Sequence, residues 1–129
     1  MAKRPELSKG ELTVARAVWR LREGSVGSIH EEVSHAVAMD YSTVQTYLRR
    51  LEAKGYLRTK REGRNKIYSA KVQATQVIRE TVRDLVGRLF DGEVVAMVNH
   101  LVRDHGMSKE DLQELRSVLA ELEDADDVS

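Results

Sequence analysis

The stretch STVQTYLRRLEAKGYLRTKREGRNK, residues 42–66, decides how the rest of the chain is read. Its first half has a helical period: Val44, Leu48 and Leu51 fall within one arc at about 100° per residue, with Tyr47 at the margin. Gln45, Thr46, Arg49, Arg50 and Ala53 therefore point the other way. Gly55 ends this helix near Lys54, residues 56–61 read as a strand, Gly63-Arg64-Asn65 as a turn and residues 66–69 as the return strand. Eight basic residues (Arg49, Arg50, Lys54, Arg58, Lys60, Arg61, Arg64, Lys66) face two acids (Glu52, Glu62), a local excess of +6 in a chain of zero formal net charge. A helix followed at once by a basic hairpin predicts a winged helix-turn-helix that seeks phosphate.

Upstream, serine-led capping boxes divide the chain into helices. Ser8 with Glu11 opens a first helix, carrying Leu12, Ala15, Val18 and Trp19 at helical spacing and ending near Gly24. After a Ser25-Val26-Gly27 link, Ser28 with Glu31 predicts a second helix over roughly residues 29–38, with Ile29, Val33, Ala36 and Val37 on one face. Ser42 with Gln45 is the third such box and opens the helix described above. Residues 1–70 are thus predicted to form a winged-helix DNA-binding domain.

Downstream, from about Gln73, Val77, Val82, Leu85, Val86, Leu89 and Phe90 form a helical stripe broken by Asp91-Gly92. Val94, Val95, Val98, Leu101 and Val102 continue it to His105-Gly106, and Ser108 with Asp111 opens a last helix bearing Leu112, Leu115, Val118, Leu119 and Leu122. Three helices cannot hide this much apolar surface among themselves, which predicts burial in a second copy. Leu85, Leu89, Phe90, Val94, Val98, Leu101, Leu112, Leu115, Leu119 and Leu122 are the candidate dimerisation residues of a helical domain over residues 71–123. Residues 124–129 read as an acidic flexible tail. The fold class is mainly α with a small β-hairpin.

Composition narrows the function. The 129 residues are 41% hydrophobic, enough for a modest core. There is no apolar run near 18 residues and no signal-peptide pattern, so a cytoplasmic location without membrane insertion is expected. The absence of cysteine excludes disulfides, thiolate nucleophiles and cysteine-based zinc sites. Residues 1–70 carry 14 basic and 8 acidic side chains (+6), and residues 71–129 carry 7 and 13 (−6). His30 and His35, like His100 and His105, are five apart and do not share a helix face, so neither a metal site nor a cofactor is predicted. No nucleophile elbow, glycine-rich phosphate loop or HExxH motif occurs, and no enzyme is expected.

The candidate DNA-binding residues are Ser42, Thr43, Gln45, Thr46, Arg49 and Arg50 on the helix, and Lys60, Arg61, Arg64 and Lys66 on the wing. Arginine pairs bidentately with guanine and glutamine with adenine, and a threonine methyl meets thymine. The wing cations, Arg64 at the tip foremost, suit phosphate or the minor groove. A charged helix face alone is commonly solvated surface, and a charged hairpin alone is a common guard of sheet edges. Their adjacency favours DNA. A ligand-sensing winged-helix regulator and a winged helix used only for protein assembly stay open as alternatives.

Leu7-Ser8 with Glu11, Val18-Trp19, Ile29-His30-Glu31, Ser42-Thr43-Val44-Gln45-Thr46 with Leu48, Arg50-Leu51, Lys54-Gly55, Gly63-Arg64 with Tyr68, Leu89-Phe90-Asp91-Gly92 and Leu112 with Glu114-Leu115 follow one another in order. In that order they resemble the BlaI/MecI/CopY family of penicillinase repressors, over nearly the whole chain. The resemblance implies a homodimeric winged-helix repressor with interlocking C-terminal helices, acting on an inverted-repeat operator of double-stranded DNA upstream of β-lactamase-type or related stress genes. It further implies a membrane-bound sensor protease as a partner, whose signal leads to cleavage within the dimerisation helices. The family's scissile Asn-Phe bond falls at His100-Leu101 here, a departure from the pattern. The copper-responsive branch uses a cysteine-based C-terminal site that this chain lacks.

Overall fold

Ser8 caps the first helix as its sequence predicts: its hydroxyl accepts the Glu11 N–H at 3.2 Å, and the Glu11 carboxylate accepts the Ser8 N–H at 2.8 Å. The structure, a computed structural model, describes residues 4–128, with side chains through residue 125. Helix α1 (Lys9–Leu21) buries Val14, Ala15, Ala17 and Val18. It stops at Arg22, whose φ of 73° breaks the helical path while its N–H still bonds the Val18 carbonyl.

The chain then forms a strand that the sequence did not announce, β1 (Glu23–Ser25). Three residues are too short to show a period, and this strand exists by pairing with a partner more than 40 residues away. Helix α2 (Val26–Ser34) corrects the second capping box. Ser25 is the cap and accepts the Ser28 N–H at 3.2 Å, while Ser28 sits inside the first turn and donates its hydroxyl to the Ser25 carbonyl. The helix is also shorter than predicted, and Ala36 and Val37 are exposed instead of facing the core. The third box is corrected in the same way. Helix α3 (Tyr41–Ala53) is capped by Asp40 without a side-chain hydrogen bond, because Ser42 is already within the first turn.

The hairpin is present as predicted with shifted bounds: β2 (Leu57–Glu62) begins and ends one residue later than expected, β3 (Asn65–Ala70) takes in Asn65, which the sequence placed in the turn, the two pair antiparallel, and β1 lies on the other side of β3. Glu62 opposite Asn65 leaves Gly63-Arg64 as a two-residue turn, and Gly63 supplies the positive φ, 62°, that such turns need. Helices and sheet close over Ile29, Val33, Val44, Leu48, Leu51, Tyr56, Leu57 and Tyr68 as well as the apolar face of α1. Leu7, Trp19, Tyr47 and Val77 pack on the margin of this core. The Trp19 indole N–H donates to the Val72 carbonyl at 2.9 Å, seating the chain just beyond β3.

Helix α4 (Ala74–Leu89) follows, then α5 (Val94–Asp104) and α6 (Lys109–Val128). Two compact units divide within α4, one up to Glu80 and one from Thr81. The first turns of α4 belong to the winged-helix unit because Val77 packs on its core and Glu80 pairs with Arg4 at 2.6 Å. In the second unit, Asp91 (φ 51°) and Gly92 (φ 81°) turn the chain between α4 and α5. The capping box at α6 is present as predicted: Ser108 Oγ accepts the Asp111 N–H at 3.0 Å and Asp111 accepts the Ser108 N–H at 3.3 Å. Helix α6 continues to Val128, so residues 124–128 are helical where the sequence suggested a loose tail. Leucine and alanine at 122 and 125 keep that turn helix-compatible despite its acids.

Candidate nucleic-acid interface

Because Val44, Leu48 and Leu51 are buried, α3 must turn its remaining faces outward. Ser42, Gln45, Arg49 and Arg50 are exposed, and Thr43 and Thr46 are half-buried beside them. Thr46 donates its hydroxyl to the Ser42 carbonyl at 3.0 Å, so its only polar side-chain proton is already taken. Arg50 lies over the Tyr47 ring, 5.7 Å from its centroid. Tyr47 in turn fills the space beside Gly10, where a Cβ would come within 2.6 Å of the ring. This packing holds α1 close to α3 and gives the Arg50 side chain a rigid platform.

The wing residues divide by their partners. Arg61 and Arg64 are exposed and make no ion pair with any described residue. Lys60 lies 3.4 Å from Glu23 and 3.9 Å from Glu62, and Lys66 lies 3.9 Å from Glu52 and 5.7 Å from the Tyr68 ring centroid. The sequence put Arg64 foremost and gave no order to the other three. The structure makes Arg61 and Arg64 the freely available ones, since a phosphate must compete with acids for the two lysines.

Lys54, one of the eight cations, is half-buried and already engaged. Its ammonium meets Glu11 at 2.7 Å and the Glu6 carbonyl at 2.8 Å, and the Glu11 side chain is only 2% exposed. Burial pushes the Glu11 carboxyl up, but Lys54 and the Ser8 backbone and hydroxyl together hold it below its ordinary value. This pair joins residues 43 apart and has no local signal in the sequence. Glu52 is the second residue that the charge count misread: its carboxylate accepts the Thr59 hydroxyl at 2.8 Å, tying α3 to the hairpin.

The histidines have separate partners. His30 Nε2 lies 2.9 Å from the Met39 carbonyl, and His100 Nδ1 lies 2.9 Å from Asp104. Among the described residues no group of three or more histidine, aspartate or glutamate side chains could hold a metal ion. No described helix is long and apolar enough to cross a membrane.

Of the candidate dimerisation residues, Leu85, Leu89, Val94, Leu101, Leu119 and Leu122 are exposed, and Phe90, Val98, Leu112 and Leu115 are half-buried. Leu89 is 71% exposed and Val95 80%. Among the described residues of the second unit only Val86 is buried. His100 and Leu101 lie within α5.

Likeness to known proteins extends over most of the chain. The penicillinase repressor of Bacillus licheniformis is 28% identical over 121 residues, covering 94% of both chains. The methicillin resistance regulatory protein MecI of Staphylococcus aureus strain N315 is 24% identical, covering 88% of this chain and 93% of its own. The solution structure of the DNA-binding domain of the repressor BlaI matches with a TM-score of 0.52 at 30% identity, covering 59% of this chain and 93% of that one. The Bacillus licheniformis BlaI monomer in complex with the blaP half-operator matches with a TM-score of 0.50 at the same identity and coverage. The family model described as penicillinase repressor matches residues 7–121, so this chain belongs to the penicillinase repressor family.

Proposed function

We propose that the protein is a transcriptional repressor that binds double-stranded operator DNA through α3 and the β2–β3 wing. The carrying observation is the outward face of α3, with Gln45, Arg49 and Arg50 exposed beside the unpaired Arg61 and Arg64. The likeness to a relative solved on a half-operator supports the same reading. The exposed leucines and valines of the second unit support a homodimer, and two identical units call for an inverted-repeat operator. We assign it to the cytoplasm and to control of β-lactamase-type or related stress genes. Selection from fragmented genomic DNA with the full-length protein, followed by gel shift, tests it. Enrichment of an inverted repeat is expected, and failure to retain any duplex defeats the proposal.

Within that proposal, Gln45 and Arg50 read base edges with Thr43 and Thr46, each good base pairing being worth about 1 to 3 kcal/mol of discrimination. Arg50→Ala is expected to relax the selected motif at one position, and an identical motif would remove Arg50 from base readout. The wing acts electrostatically. Replacing Arg61 and Arg64 with alanine is expected to weaken binding to all sequences alike and to flatten log K against log salt by about 0.9 for each phosphate no longer neutralised. An unaltered slope would show that neither residue neutralises phosphate.

Release of DNA is assigned to proteolysis of the dimerisation unit, started by a membrane-bound sensor protease. His100-Leu101 is the corresponding bond, and its place inside α5 means that the helix must open locally before a protease can cut. Mass spectrometry of the protein from cells with and without a β-lactam decides this. An intact chain under derepressing conditions would replace proteolysis with ligand-driven release.

A further inference from the structure

A carboxylate near DNA is a liability, since it repels the same phosphates that the exposed cations of α3 and the wing attract. Glu52 nevertheless stands in the last turn of α3, between that helix and the wing. It touches both strands of the hairpin: Oε2 accepts the hydroxyl of Thr59 on β2 at 2.8 Å, and Oε1 lies 3.9 Å from the ammonium of Lys66 on β3. Thr59 itself is opposite Tyr68, whose ring is buried in the core, so the hydroxyl is presented from a fixed point of the sheet. Among the described residues no other side-chain hydrogen bond or ion pair joins α3 to the hairpin.

We propose that Glu52 is a positioning residue for DNA binding, a clamp that fixes the angle of the wing on the recognition helix. Helix and wing then meet DNA as one preorganised surface, and the ordering of the wing is not charged against the binding free energy. The clamp rests on the DNA-binding proposal above.

The test uses the full-length protein and four variants: E52A, E52Q, T59V and the E52A/T59V double variant. E52A and E52Q delete the same charge, but only E52Q leaves an oxygen to accept the Thr59 hydroxyl. Each is titrated, below its melting temperature, against the duplex that the wild-type chain enriches from fragmented genomic DNA. E52A and T59V are expected to bind about tenfold more weakly than wild type, the size of one hydrogen bond to a charged group. E52Q is expected to bind at least as tightly as wild type, since it keeps the acceptor and loses the repelling charge, and the E52A/T59V double variant is no weaker than E52A, because both remove one link. Equal affinities for E52A and E52Q would reduce Glu52 to a simple charge and overturn the clamp, as would wild-type affinity in T59V. Amide relaxation of Gly63 and Arg64 without DNA provides a separate arm. Greater mobility in E52A is expected, and unchanged mobility overturns the clamp whatever the DNA result. A wild-type chain that binds no duplex would instead defeat the DNA-binding proposal itself.

Discussion

Ending the chain after Glu80 is expected to lower affinity for a two-half-site operator by about 10²- to 10⁴-fold while leaving the fragment folded. The fragment keeps the winged-helix core, the Arg4–Glu80 pair and the packing of Val77. It does shed the exposed leucines and valines of α5 and α6. Without them the second half-site is bound by an independent molecule rather than a tethered one. Affinity for a single half-site should be nearly unchanged, which separates a loss of avidity from a damaged interface. A fragment that sediments as a tight dimer, or binds the full operator as strongly as the whole chain, would place dimerisation elsewhere.

Lys54→Met is expected to cost about 3 kcal/mol near neutral pH, because it leaves the buried Glu11 carboxylate without its cation. The pH dependence has a definite sign. In the wild type the Glu11 pKa lies below its ordinary 4.5, so the stability it contributes is present above that value and is lost as pH falls through the lower folded one. In the variant, burial acts without Lys54 to oppose it, the carboxyl shifts upward, and protonation relieves the penalty. The gap between the two proteins should therefore narrow on acidification. Urea unfolding at about pH 7 and about pH 4 reads both effects. Equal midpoints near neutral pH would mean that water satisfies Glu11 without Lys54.

Helix α3 and its hairpin were legible because they are governed by local rules: a 3.6-residue period, a glycine stop and a glycine turn. The same locality explains the misplaced caps. A serine three residues before an acid or amide fits a box at Ser28 and Ser42, yet Ser25 and Asp40 occupy the cap positions. The pattern cannot tell a cap from a first-turn residue when another suitable cap lies two or three positions upstream. β1 was missed because its only support is β3. The site was legible as a set of exposed cations but not as a hierarchy among them. Which cations are engaged depends on Glu11, Glu23 and Glu52, and those pairings are made by the fold across turns and strands.

Trp19 is the single tryptophan of the chain. Its indole N–H bond to the Val72 carbonyl ties the ring to the segment between β3 and α4, on no part of the DNA-facing surface assigned to α3 and the wing. The protein thus carries an intrinsic fluorophore at that junction. Emission should shift to longer wavelength when the segment lifts and water reaches the indole, so unseating of the junction can be followed optically, in real time and without a dye.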